Sequence, residues 1–492
     1  MLFGVNDGVV CPNVGAYDRV VRSVTGGSVV AMGVERTVDI AVIGGGLAGL
    51  TAARQLRRAG FDALVVEARD RVGGRTLNHP IGDGKIVEVG GQWVGPGQDR
   101  ALALIDELGL ETFPTYTTGR HLFEHRGKLR RYRGRIPLIA SAALLDAYIG
   151  LQRLDRMSRV VPADAPWSAA RAGQWDTETV ASWMRRNLHS EIARRAITMV
   201  CKAVWAADPA DVSLLHLLAY LNAGGGVDSM IETDGGAQQT RIVGGSQRIS
   251  MTLAEQLGEH VLLNTPVRKI EQTQGSVIVH GDDTRILARR VIVAMSPALA
   301  GRLVYCPALP ADRDQLTQRM PNGSVIKTMA VYDTPFWRAD GLSGQVTAAT
   351  GPVKVTFDNS PPDGNPGVLL AFLEGGDARR LGRYPVEERR DIVISSLTRF
   401  FGPAAAAPID YIEKDWSADE WTRGCYGAFM PPNTWTEYGP ALRAPIGRIH
   451  WAGAETATVW MGYMDGAIRS GDRAAAEITA LVGGDRKPTA VI

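Results

Sequence analysis

Six residues, Gly44-Gly45-Gly46-Leu47-Ala48-Gly49, carry the strongest chemical signal in the chain. Gly44 permits a tight turn, Gly46 lets backbone approach a pyrophosphate, and Gly49 lets a following helix pack close to a sheet. The first N–H groups of that helix, at Leu47 and Ala48, offer donors and partial positive charge to phosphates. Glu67 lies 18 residues beyond Gly49, where a carboxylate can accept hydrogen bonds from an adenosine ribose. The framing elements are present too. Residues 38–43 and 63–66 are apolar runs, and 50–59 is a helical stretch between them. Strand, glycine turn, helix, strand and acid together read as a dinucleotide site; a glycine-rich turn without a ligand is the plainer alternative.

The following segment, Ala68-Arg69-Asp70-Arg71-Val72-Gly73-Gly74-Arg75-Thr76, adds a second glycine pair flanked by arginines. It could present further N–H donors and two guanidinium forks to a pyrophosphate. The alternative is a basic surface turn. This stretch resembles the R-x-G-G-R extension of flavoproteins in the amine oxidase and phytoene desaturase group, which favours FAD over a nicotinamide dinucleotide. Farther on, Lys327 sits inside an apolar strand pattern, 325–330, where a cation is costly unless it finds a partner or snorkels from an edge strand.

The chain has 492 residues, enough for two or more domains and a large core. Hydrophobic residues make up 45% and charged residues 22%, and the net charge is +2, so nothing suggests a nucleic-acid protein. No apolar run reaches the length of a membrane span; the longest candidate, 138–151, contains Asp146. Cys11, Cys201, Cys306 and Cys425 are widely spaced with no metal pattern. Few cysteines and no secretion signal point to a reducing cytoplasm.

The expected fold class is α/β, with two interleaved domains: a Rossmann-like FAD-binding domain and an α+β substrate domain with a mixed sheet. Residues 38–112, 240–315 and 419–483 are assigned to the first, and 113–239 and 316–418 to the second. Residues 1–37 read as a poorly ordered extension and 484–492 as a tail. The stretch from 113 to 239 reads as mainly helical, 324–332 and 353–372 as strands, and 462–482 as a final helix.

With these residues assembled, the chain from about Val38 to Leu481 resembles a flavin-containing monoamine oxidase. The most specific stretches are 67–76, Gly323-Ser324-Val325-Ile326-Lys327, Gly424-Cys425-Tyr426, Ala452-Gly453-Ala454-Glu455-Thr456-Ala457 and Gly462-Tyr463-Met464. The resemblance implies oxidation of an amine to an imine, then an aldehyde and ammonia, by hydride-equivalent transfer to flavin N5, with oxygen reduced to hydrogen peroxide. It implies that Tyr426 and Tyr463 face each other before the flavin and guide a neutral amine, in a site without a strong carboxylate partner. It further implies that Lys327 holds a water near N5. Gly91, Gln92, Trp93, Val267, Trp416, Ala454, Glu455 and Met464 fall at cofactor-binding positions, and Gln238 (or Gln239), Met230 and Val355 at pocket positions. Cys425 matches a cysteine that forms a thioether with the flavin in mitochondrial relatives, although Arg423 here replaces the family's second glycine. Those relatives continue into a membrane anchor; residues 483–488 do not, so a soluble protein is expected. Amine and oxygen are the implied partners, with a homodimer left open.

Nearby alternatives are a diamine oxidase, with Glu232 as acidic anchor, and an L-amino-acid oxidase, with Arg120 for the carboxylate. A flavin desaturase using another acceptor and a non-catalytic FAD-binding protein are more distant ones.

Overall fold

The computed structural model describes residues 34–125, 127–134 and 142–482. Two large sheets organise it. At the centre of the first, eight-stranded sheet is β1 (Val34–Ile43), followed by the helix α1 (Leu47–Arg58) and by β2 (Ala63–Val66). β1 pairs in parallel with β2 on one side and with β3 (Thr284–Ala294) on the other, bringing Ile43 beside both Val66 and Val293. The sheet mixes directions: Val277–Gly281 runs antiparallel to β3, while Ile449–Ala452 runs parallel to its end. Both faces of β1 and β2 are covered, which explains their unbroken apolar runs.

The second sheet has seven strands. Its middle contains β4 (Val325–Tyr332) and β5 (Gly367–Glu374), paired antiparallel and buried along their whole lengths. One face of this pair packs against the helix Val386–Phe401 through Ile326, Leu369 and Leu373. The other carries Val325, Met329, Leu370 and Phe372 and turns toward Trp416 and Cys425. The last described element, α2 (Met464–Val482), returns to lie along α1.

The α/β class and mixed sheets agree with the expectation from sequence. Several local readings need correction. β1 begins at Val34 rather than near residue 38, because Val34 to Thr37 are held by pairing with Thr284 to Leu287 despite the exposed Glu35. The stretch 113–239 is not mainly helical at its start: Thr112–Pro114, Arg120–His125 and Lys128–Tyr132 are strands, too polar and short to show a period. Arg120–His125 joins the second sheet parallel to Leu342–Ala348. Cys306 is disulfide-bonded, so the four cysteines are not all reduced thiols, whereas Cys201 and Cys425 are free and buried. Residues 1–33 of the extension, the tail 484–492 and residue 483 of the first domain lie outside the described residues, as does part of the apolar 138–151 segment. No helix among the described residues is long and apolar enough to cross a membrane.

The glycines at the sheet–helix junction perform steric work. Gly44 has φ +110°, and a Cβ there would lie 2.6 Å from the Ala294 carbonyl oxygen. A Cβ on Gly49 would meet the Gly44 oxygen at 2.0 Å. The contact of α1 with α2 is equally close, since a Cβ on Gly471 would sit 2.3 Å from the Ala48 oxygen. Gly→Ala normally stabilises a helix interior by roughly 0.5–1 kcal/mol. At Gly471 the sign should invert, because a backbone oxygen cannot yield as a side chain can. Gly471→Ala is expected to destabilise the protein by about 1–3 kcal/mol, seen as a lower urea midpoint with unchanged far-UV circular dichroism.

Candidate active site

One cavity of about 1100 Å³ runs from the glycine turns of the first sheet to the inward face of the second. Its first end is built by Gly44, Gly46, Leu47, Ala48, Glu67, Ala68, Arg69, Gly74 and Arg75. Gly46 caps α1 without any side-chain hydrogen bond, so the donors of the first helical turn are not consumed by a capping side chain. The two glycine turns touch back to back: a Cβ on Gly74 would lie 3.4 Å from the Gly46 Cα. Glu67 is buried beneath them, accepting from Gly45 N–H at 2.7 Å and Arg69 N–H at 3.0 Å.

The guanidinium forks do not face open space as the sequence suggested. Arg69 donates to Asp419 at 2.6 Å and Arg71 folds back on the carbonyls of Val72, Gly74 and Thr76. Arg75 donates to both oxygens of Glu455, at 2.6 and 3.0 Å, and to the Tyr426 carbonyl at 2.9 Å. A partly buried guanidinium needs such an acid.

The opposite wall follows from strand register. Lys327 lies across from Phe372, and Val325 across from Glu374, so with a period of two the side chains of Lys327, Phe372 and Glu374 share one face. Phe357 of the neighbouring strand joins them, and Trp93 packs on Phe357 at 5.0 Å. Lys327 is not an edge lysine. It is 3% exposed and donates to the Gly90 carbonyl at 2.7 Å and to the Gln92 side-chain oxygen. Gln92 is in turn oriented by the Asn359 amide oxygen at 2.7 Å. Burial lowers the Lys327 ammonium to about 7, a shift opposed by the carboxylate of Glu88 and assisted by Arg241.

Tyr426 and Tyr463 both line the cavity. Tyr426 stands edge-on to Phe372 at 6.0 Å, and Tyr463 is held by Trp460 at 4.9 Å and Tyr220 at 6.2 Å. The expectation of a site without a carboxylate needs correction. The Tyr426 hydroxyl donates to Glu374 Oε1 at 2.9 Å, and Glu374 itself lines the cavity. Burial raises this carboxyl to about 7, against the lowering influence of Tyr426 and Lys202, so it is far less firmly charged than a surface acid.

Cys425 borders the same cavity, and burial pushes its thiol up to about 12 although Arg75 pulls it down. Arg423 has φ +53°, the left-handed conformation a glycine would adopt at no cost.

Gly91, Gln92, Trp93, Val267, Ala454 and Met464 line the cavity as expected, as do Gln238, Met230 and Val355. Gln238 rather than Gln239 faces it: Gln238 donates to the Met230 carbonyl at 3.0 Å, while Gln239 accepts from Gly235 N–H. Three expected cofactor residues stand behind the wall. Gly49 supports the turn, Glu455 lies under Arg75, and Trp416 is a core residue that donates to the Val89 carbonyl at 2.8 Å. Glu232 borders the cavity, whereas Arg120 is exposed on its strand and does not. Sequence reasoning missed Glu374, Asn359 and Tyr220. An acid ending the apolar run Gly367–Glu374 was the available signal for the first.

These features fit a flavin dinucleotide. At Gly46 and Gly91 a Cβ would meet nothing nearer than 4.0 Å, the helix terminus faces the cavity, and the volume exceeds the roughly 300–1,000 Å³ of ordinary ligand pockets, leaving room for a second molecule.

Comparison with known proteins gives concordant results. Residues 47–479 match the family model described as flavin containing amine oxidoreductase. AofH of Mycobacterium tuberculosis, which carries a flavin-containing monoamine oxidase name, is 43% identical over 446 residues, 91% of this chain and 97% of the relative. Human amine oxidase [flavin-containing] B is 37% identical over 450 residues, covering 90% of this chain and 86% of that protein. A wild-type putrescine oxidase structure with bound putrescine superposes with a TM-score of 0.88 at 36% identity, over 91% of this chain and 100% of the other.

Behind Lys327, the Arg241–Glu88 pair is almost wholly buried at 2.6 Å. Removing one partner leaves the other charge stranded. Glu88→Ala is expected to cost about 3–5 kcal/mol, measured as a lowered denaturation midpoint.

Proposed function

The chain belongs to the flavin-containing amine oxidoreductases, and from that premise we propose that it is an oxygen-using oxidase of small primary amines. Amine oxidation is the coarse activity its relatives share. One observation supports the finer reading: Lys327, Cys425, Tyr426 and Tyr463, drawn from three distant segments, border a single cavity with the glycine turns.

Bound FAD would supply the acceptor for a hydride equivalent at flavin N5 and carry the electrons on to oxygen, giving hydrogen peroxide. The chain would hold it with the backbone donors of Gly46 to Ala48 and Gly74, with Glu67 toward the ribose, and with Arg75 fixed by Glu455. Tyr426 and Tyr463 present phenol faces that steer an amine nitrogen. Phe357, Phe372 and Met230 keep water from the reacting carbon. Lys327, anchored by Gly90 and Gln92, holds a water for the reaction with oxygen. Cys425 is the candidate for a thioether to the cofactor.

The test is a peroxide-coupled screen of benzylamine, phenethylamine, tyramine and putrescine. Peroxide from the monoamines is expected; none from any amine would reject the oxidase reading. Preference for putrescine would move the assignment to a diamine oxidase with Glu232 as the distal anchor. Lys327→Met should slow reoxidation of the reduced protein by oxygen much more than its reduction by amine, as followed by stopped-flow absorbance. After acid precipitation, yellow colour kept in the pellet would establish the Cys425 thioether, and colour in the supernatant would exclude it.

A further inference from the structure

Among the described residues, Glu374 is the carboxyl joined to a tyrosine of the proposed amine cage, and its surroundings are unusual. It is 3% exposed, Oε1 accepts the Tyr426 hydroxyl, and the buried Oε2 has no hydrogen-bond partner among the described residues. A carboxylate with one oxygen unsatisfied in a low-dielectric wall gains by taking up a proton. The groups facing it do not compensate fully. Lys202, from the helix Glu191–Trp205, is committed to Asp377 at 2.9 Å and lies 3.5 Å from Asp208. Asp377, on the helix Gly376–Leu381, opposes ionisation of Glu374, and Cys425 adjoins Tyr426.

Amines reach the cavity mostly as ammonium ions, since their pKa values lie near that of lysine at about 10.4. An ammonium has no lone pair to assist loss of hydride from the neighbouring carbon, so one proton must leave first. This argument rests on the amine reading above, with the nitrogen held between Tyr426 and Tyr463. We propose that Tyr426 and Glu374 form a proton relay that discharges the incoming ammonium inside the cavity. An N–H bond of the ammonium breaks as its proton passes to Tyr426 Oη, and the phenol's own proton passes to Glu374 Oε1. Ammonium plus carboxylate become neutral amine plus neutral carboxylic acid; no electrons move and Tyr426 is regenerated. The acid returns its proton to solvent when product leaves.

The sign with pH follows. The relay needs Glu374 ionised, so it operates above the raised carboxyl pKa and is lost as pH falls through it. At high pH, where the amine arrives neutral, the relay is unnecessary.

Glu374→Gln keeps an acceptor for the phenol but cannot take a proton. In anaerobic stopped-flow reduction with benzylamine, the variant should be slower by about 100-fold near neutral pH and should approach the wild-type rate near pH 10. A purely structural role predicts the same deficit at every pH; that result, or no deficit near neutral pH, would overturn the relay. A second readout needs no turnover. 2-Phenylpropan-2-amine has no hydrogen on the reacting carbon, and its binding can be followed by calorimetry at about pH 8 in buffers of different ionisation enthalpy. The wild type should bind with little proton release, whereas Glu374→Gln should release one proton; equal release would overturn the proposal. If the glutamine variant does not fold, Tyr426→Phe interrupts the same relay and is expected to show the same two signatures. Should no amine reduce the wild-type flavin at any pH, the amine reading fails by itself, and the calorimetric comparison still judges the relay.

Discussion

A single guanidinium holds the site together. Arg75 reaches from the second glycine turn to both oxygens of Glu455 and to the carbonyl of Tyr426, and Glu455 also receives the Ala428 N–H at 3.1 Å. Three segments far apart in the chain are thereby locked to one planar fork. Fork geometry fixes angle as well as distance, which a lysine in the same place could not do. The Cys425-Tyr426 segment, which lies outside any strand or helix, is held by this clamp together with the backbone bonds Cys425 N–H to the Gly323 carbonyl at 2.9 Å and Gly424 N–H to the Trp416 carbonyl at 2.8 Å.

Against that fixed edge the second sheet presents a row of side chains that burial acts on in opposite senses. The same loss of water lowers the Lys327 ammonium and raises the Glu374 carboxyl, because in each case the charged form is the one that suffers. Neither group is stranded. Lys327 has the Gly90 carbonyl and an amide whose orientation Asn359 dictates, and Glu374 has a phenol. The polar chemistry of the cavity therefore depends on strand pairing: a slip of one residue between β4 and β5 would put Lys327 on the opposite face from Phe372 and Glu374.

What could be read from the sequence divides along this line. The glycine turn was legible because strand, turn, helix and acid all fall within about thirty residues and each enforces the next. Lys327 was legible as a cation in an apolar run, and Tyr426 and Tyr463 through the motifs around them. Glu374 was not, because an acid at the end of an apolar strand looks like an ordinary exit to solvent; only the fold shows that the exit is covered. Trp416 illustrates the converse. Its type suited a ring neighbour, but its indole N–H is spent on Val89 and the residue belongs to the core. The choice between Gln238 and Gln239 turned on one residue of loop length, which no periodic pattern constrains. The strand Arg120–His125 escaped notice because its stability comes from the neighbour Leu342–Ala348, not from its own composition.

The central position of β1 has a consequence for biosynthesis. The first glycine turn leaves the ribosome early, yet β1 pairs with β3 and its helix rests against α2, the last helix described. Until those later segments emerge, β1 and β2 carry exposed hydrogen-bonding edges and an uncovered apolar face. The nascent chain must thus keep its earliest-made strands apart from other polypeptides through nearly the whole of translation. The same topology that centres β1 in the finished sheet thus makes the unfinished chain prone to association.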